Sequence, residues 1–121
     1  MSGLALWLGV GVLGGVAAIA RFLIDGLIST LALSRFPLGT LAVNLSGTVL
    51  LGLLVGIGLH GDAYLLAGTA VIGSYTTFST WLFESHRLAE DGGRWIVAVN
   101  LSASLVLGVA AAALGRMIGG G

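Results

Sequence analysis

Two asparagines stand in line with hydroxyls at helical spacing. Thr40, Asn44 and Thr48 recur every fourth residue, with Gly47 on the same face; Asn100, Ser104 and Gly108 repeat the pattern later in the chain. An amide NH2 or a hydroxyl donates a hydrogen bond without carrying charge. A row of such donors can hold an anion weakly enough to release it, which a ring of Lys or Arg could not. The same residue types also serve as interhelical glue, and both readings stay open for these two stripes. A third group is Gly73-Ser74-Tyr75-Thr76-Thr77-Phe78-Ser79-Thr80-Trp81. A run of β-branched and hydroxylated residues behind a glycine makes a poor continuous helix. It predicts an interruption whose freed carbonyls could hold a cation and whose helix N-terminus favours an anion. A kink packed against its neighbours is the plainer alternative. Phe78 and Trp81 follow at i, i+3, and aromatic edges carry partial positive charge. Glu84, His86 and Arg87 mark the return to water, with Glu84 and Arg87 at pairing distance along a helix.

The elements that must position these groups follow from composition. Of 121 residues, 57% belong to the apolar set, 21 are glycine and only 8% are charged, with no lysine. A soluble domain carries roughly 25% charge. A monomeric soluble globule, a disordered chain and a basic nucleic-acid binder are thereby excluded. Cysteine is absent, so neither disulfides nor thiolate metal sites arise. Charge-free runs cover residues 1–20, 38–59, 63–83 and 95–115. About 20 helical residues cross a hydrocarbon layer of roughly 30 Å. The expectation is an all-α membrane protein, one domain over residues 1–121. Its four spans lie at about 4–24, 38–59, 63–88 (broken near 73–77) and 95–118. A β-barrel would show alternating ten-residue segments, which these runs do not.

Two decoys are set aside. Ala18-Ile19-Ala20 resembles a signal-peptide cleavage site, but no basic residue precedes the apolar run, so a retained first span is expected. Gly9-Val10-Gly11-Val12-Leu13-Gly14 spells a dinucleotide fingerprint without the strand it needs. Gly11 with Gly15, and Gly52 with Gly56, are expected to bring helices close instead. Arg21, Arg35, Arg87 and Arg94 flank the first and third connections and Arg116 the opposite side, which favours those connections in the cytoplasm and both termini outside. With Arg21, Arg87 and Arg116 counted into helix ends, Arg35 and Arg94 remain, a bias small enough for insertion in both orientations. A small multidrug-type antiporter would need a carboxylate in the first span, and residues 1–20 hold none. A non-conducting structural subunit would use both stripes as glue alone. No Ser/His or metal-ligand spacing joins His60 and His86, so enzyme activity is not expected.

The sequence resembles the CrcB/Fluc family of fluoride channels along essentially its whole length. The resemblance rests on Gly14-Gly15-Val16-Ala17-Ala18-Ile19-Ala20-Arg21-Phe22, on Gly39-Thr40-Leu41-Ala42-Val43-Asn44-Leu45-Ser46-Gly47, and on Gly73 to Thr80 followed by Glu84. It implies passive, fluoride-selective export across a bacterial inner membrane. It implies an antiparallel dual-topology dimer, either a homodimer or a heterodimer with a paralogue, with lipid around it and no nucleic acid. Eight helices also enclose a pore better than four. The implied fluoride pore comprises Asn44, Thr77, Phe78, Ser79, Thr80, Trp81, Asn100 and Ser104. Trp81 stands where the family has a second phenylalanine. Arg21 and Glu84 would line vestibules, and a structural, non-transported Na+ would bind the backbone carbonyls of Gly73 and Thr76 from both subunits.

Overall fold

The computed structural model describes residues 2–121, all helical apart from short connections. Helix α1 runs Gly3–Ala32, opened by Ser2, whose hydroxyl accepts from Ala5 N–H. Such a cap satisfies one of the four free N–H groups at a helix start. The helix was expected to end near residue 24, yet it continues eight residues further. Arg21 and Asp25 signal water rather than a stop, and no proline intervenes. Asp25 accepts from Ser29 Oγ, and Thr30 Oγ1 donates to Gly26 O, so these polar side chains bond within the helix. It closes on Leu33 in the left-handed region at φ 46°.

Pro37 precedes α2 (Leu38–Gly56), and Gly58 and Gly61, both at positive φ, turn the chain back. Helix α3 (Gly61–Tyr64) passes directly into a π-helical segment, Leu65–Ile72, and then into one α turn, α4 (Gly73–Tyr75). In that segment the Tyr64 ring lies so close to Gly68 that a Cβ there would sit 3.2 Å from it. Helix α5 (Ser79–Glu90) and helix α6 (Arg94–Ile118) complete the chain.

Helix α2 is the centre. It packs along α6 and also meets α1 and the π segment. The α2–α6 contact is backbone on backbone. A Cβ at Gly52 would collide with Ala112 O, at Gly56 with Arg116 O, and at Gly115 with Val49 O. Small residues at four-residue spacing on both helices (Gly52 and Gly56 against Ala111, Gly115 and Gly119) permit that approach. Gly11 and Gly15, the other expected pair, have nothing within 4 Å of their Cβ positions. On α1 the packed face instead holds Gly14, against Ser74, and buried Ala17.

Several polar side chains lie inside, and many large apolar ones lie outside. The most deeply buried side chains are Val43, Asn100 and Thr40, whereas Trp7, Val12, Phe22, Leu105 and Val109 are exposed. Helices α1, α2 and α6 are each long and apolar enough to cross a membrane, and α1 and α6 bury little of that surface. This inversion suits a hydrocarbon solvent, and the chain is a multi-pass membrane protein.

G115V should separate α2 from α6 and destabilise the fold by at least about 1–3 kcal/mol, the usual cost of overpacking. G26A, at a position with open space, should be neutral. Thermal melts of both variants in detergent check this. Equal melting temperatures would show that the close approach is not needed.

Candidate functional site

The interruption after α4 is built from three residues. Thr76 leaves the helix with ψ 158°, Thr77 and Phe78 follow, and α5 restarts at Ser79. Gly73, expected at the break, remains helical at φ −61°, ψ −34°, and its N–H donates to Gly68 O and Ala70 O. Glycine permits a break without forcing one. The backbone departs at the β-branched threonines.

Asn44 of α2 takes over the bonding that the helix loses. Its Oδ1 accepts from Thr77 N–H at 2.8 Å, and its Nδ2 donates to Thr77 O at 2.9 Å. In an uninterrupted helix that N–H would belong to Gly73 O. Thr80 N–H, which would belong to Thr76 O, goes to Thr77 Oγ1 at 3.2 Å. Thr77 therefore caps α5 with its hydroxyl while Asn44 holds its backbone. Gly47 lets Thr76 and Tyr75 lie against α2; a Cβ there would strike Thr76 Cγ2. Tyr75 Oη pairs with Ser46 Oγ at 3.0 Å, a second tie across the same seam.

Beside this interruption lies a cavity of about 460 Å³. Asn44, Thr77, Phe78, Trp81 and Ser104 line it, together with Thr48, Tyr64, Thr69, Thr76, glycines and aliphatic side chains. The Phe78 and Trp81 rings are 5.5 Å apart and tilted by 54°. Trp81 Nε1 donates to Ser104 Oγ at 3.0 Å, joining α5 to α6. The remaining expected pore residues lie elsewhere. Ser79 and Thr80 do not line the cavity. Asn100 is 1% exposed behind it and donates to Ser85 Oγ at 2.8 Å. Ser85 in turn donates to Trp81 O at 2.8 Å. Thr48 Oγ1 is turned back onto Asn44 O at 2.6 Å.

Glu84 faces a second cavity of about 250 Å³, shared with Arg35, Arg87, Asp91 and Ser29. Arg21 lines neither cavity. The expected Glu84–Arg87 pairing gives way to two other contacts. Glu84 Oε1 accepts from buried Thr40 Oγ1, and Arg87 stands 6.0 Å over the Phe83 ring. A partner on α2, held by packing, outcompetes a flexible neighbour on the same helix. Ser85 went unnoticed in the sequence. Its spacing, four residues beyond Trp81, was the available signal.

Three donors on one wall of the larger cavity have protons to spare. Asn44 Oδ1, Thr77 Oγ1 and Ser104 Oγ each accept a protein N–H. Each therefore keeps a proton uncommitted: two hydroxyl protons and the second amide proton of Asn44. Such a lining favours an anion without fixing a charge beside it.

Comparison with known proteins agrees in kind. Residues 8–116 match the sequence pattern of the family described as CrcB-like protein, Camphor Resistance (CrcB). The chain is 49% identical over 118 residues to the fluoride-specific ion channel FluC 2 of Mycolicibacterium paratuberculosis, covering 98% of this chain and 97% of that one. It is 39% identical over 121 residues to the fluoride-specific ion channel FluC 1 of Symbiobacterium thermophilum, covering 95% and 98%. The fluoride-specific ion channel FluC of Maridesulfovibrio salexigens is 35% identical over 114 residues, covering 87% and 90%.

N44A should leave the Thr77 N–H and C=O without partners. Two lost bonds at roughly 1–2 kcal/mol each predict a loss of about 2–4 kcal/mol. N44D, which keeps the acceptor but sets a carboxylate oxygen against Thr77 O, should not restore the stability. Thermal melts rank the variants, and hydrogen exchange at the Thr77 amide should accelerate most in N44A. Unchanged exchange there would show that Asn44 does not hold the interruption.

Proposed function

The chain belongs to the CrcB family, and we propose on that footing that it is a fluoride-selective channel carrying the ion passively out of a bacterial cell across the inner membrane. The observation that carries this reading is the cluster of uncommitted donors on one wall of the larger cavity, from Asn44, Thr77 and Ser104. Fluoride is small and tightly hydrated, so a pore must replace its water with several weak donors. Asn44, Thr77 and Ser104 provide them, and the edges of Phe78 and Trp81 add weaker ones. Arginines lie away from this lining, so no fixed cation traps the ion there. Ser79, Thr80 and Asn100 then act behind the lining, as cap and support. Arg21 and Glu84 belong to vestibules, where positive potential and a carboxylate set which ions approach.

The proposal includes an inverted partner, either a second copy or a paralogue, and four spans per chain, the third comprising α3 to α5. The long exposed apolar faces of α1 and α6 are compatible with both lipid and a partner. With the arginines at helix ends set aside, Arg35 and Arg94 leave a bias compatible with either orientation. Na+ fits at the interruption. The carbonyls of Gly73 and Thr76 have each lost the N–H that an unbroken helix would supply, because Asn44 and Thr77 Oγ1 take those donors. Bound there, the ion would supply fixed positive charge that offsets repulsion among anions. The chain's own part is to keep two carbonyls free and Thr76 extended.

Efflux from liposomes containing the purified protein tests the function, read with fluoride and chloride electrodes. Fluoride should leave rapidly and chloride should stay. Fluoride retained by vesicles, with a known fluoride channel emptying parallel ones and coexpression with a paralogue bringing no flux, would end the proposal. For the cation, exchanging NaCl for N-methylglucamine chloride should lower the melting temperature of the protein in detergent. An identical melt in both salts would remove Na+ from the account.

A further inference from the structure

Trp81 differs from a plain aromatic by one donor, its indole N–H, and that donor is committed to Ser104 Oγ at 3.0 Å. The residue is fixed from behind as well. Its carbonyl accepts from Ser85, and Ser85 accepts from Asn100, buried one turn before Ser104 on α6. Phe78 packs against the ring's other side. The indole is thus tied to α6 at two levels and to the interruption through Phe78.

Ser104 is the group this arrangement acts on. A serine inside a helix commonly turns its hydroxyl proton onto the carbonyl four residues back, as Ser85 does toward Trp81. Among the described residues Ser104 makes no such bond and serves only as an acceptor. With the indole N–H on one lone pair, its own proton points away from Trp81. The open direction is the cavity that both residues line. An N–H drawing on the oxygen also polarises the O–H and strengthens it as a donor.

We propose that Trp81 and Ser104 act as one two-step donor toward the permeating anion, with Trp81 a positioning residue that aims and polarises the Ser104 hydroxyl. This rests on the fluoride-channel reading above. Phenylalanine at position 81 would leave Ser104 free to turn back onto Asn100 O, so the two positions are coupled.

The test uses a W7F/W95F parent. Trp7 and Trp95 are exposed and line neither cavity, and their removal leaves Trp81 as the sole indole. Fluoride efflux from liposomes and Trp81 emission during NaF or NaCl titration are read on each variant. W81F and S104A should each slow fluoride efflux roughly threefold to tenfold, the scale of one strong hydrogen bond. Because they remove the same donor, W81F/S104A should be no slower than the slower single variant. S104T, which keeps the hydroxyl, should recover the parent rate. Fluoride but not chloride should shift the Trp81 emission, and S104A should shrink that shift to what the ring edge alone senses. Multiplying losses, a neutral W81F, or a shift unchanged in S104A overturns the coupling. Unsubstituted protein that passes no fluoride, alone or coexpressed with a paralogue, overturns the channel reading instead, and the emission shift then decides the coupling on its own.

Discussion

The reciprocal bond between the Asn44 amide and the Thr77 backbone is the constraint on which the rest depends. A helix interrupted in an apolar surrounding exposes N–H and C=O groups that lipid cannot satisfy. Asn44 presents an acceptor and a donor with the spacing of a peptide group, and Thr77 receives both at 2.8 and 2.9 Å. The pair replaces one turn of helix. It leaves Gly73 and Thr76 carbonyls free, restarts α5 under the Thr77 hydroxyl, and brings Phe78 and Trp81 to one cavity wall. Without it the segment would rewind or the freed groups would remain unbonded at several kcal/mol.

That bond needs α2 held at the correct depth, and the glycines arrange this. Gly47 admits Thr76 on one side of α2, and Gly52 and Gly56 admit the α6 backbone further along. Ser104 sits on the same α6 that these contacts position, so the donor on α6 and the donor on α2 share one frame. Dispersion between close backbones carries such packing where no hydrophobic drive exists between helices. Site and scaffold are therefore not separable here. The residues that hold the helices together are the ones that set the donor geometry.

Much of this was legible in residue spacing. The i, i+4 stripe singled out Asn44, and the hydroxyl-rich run singled out Thr77, Phe78 and Trp81, because polar groups in an apolar chain need partners. The details that escaped are tertiary. The backbone departs at Thr76 rather than Gly73, since a glycine with good helical bonds has no reason to leave them. The π winding of Leu65–Ile72 has no compositional mark. Glu84 bonds Thr40 rather than Arg87, since a helix-local rule yields to a packed partner 44 positions away. Gly11–Gly15 and Gly52–Gly56 read alike, and only the second pair meets a helix carrying its own small residues. Asn100 looked like Asn44 in its stripe, yet it serves as a buried brace through Ser85.

Helix α1 has 30 residues, an axial length of about 45 Å against a hydrocarbon thickness of roughly 30 Å. Its surplus falls on the stretch bearing Asp25, Ser29 and Thr30, whose side chains are bonded among themselves and along the helix. Asp25 also abuts Gly39 at the start of α2, two turns ahead of Thr48 and one before Asn44. Bilayer thickness therefore bears on this protein mechanically. A thicker membrane would draw the overhang inward and bring toward hydrocarbon the Asp25 that lies against Gly39, on the helix that carries Asn44.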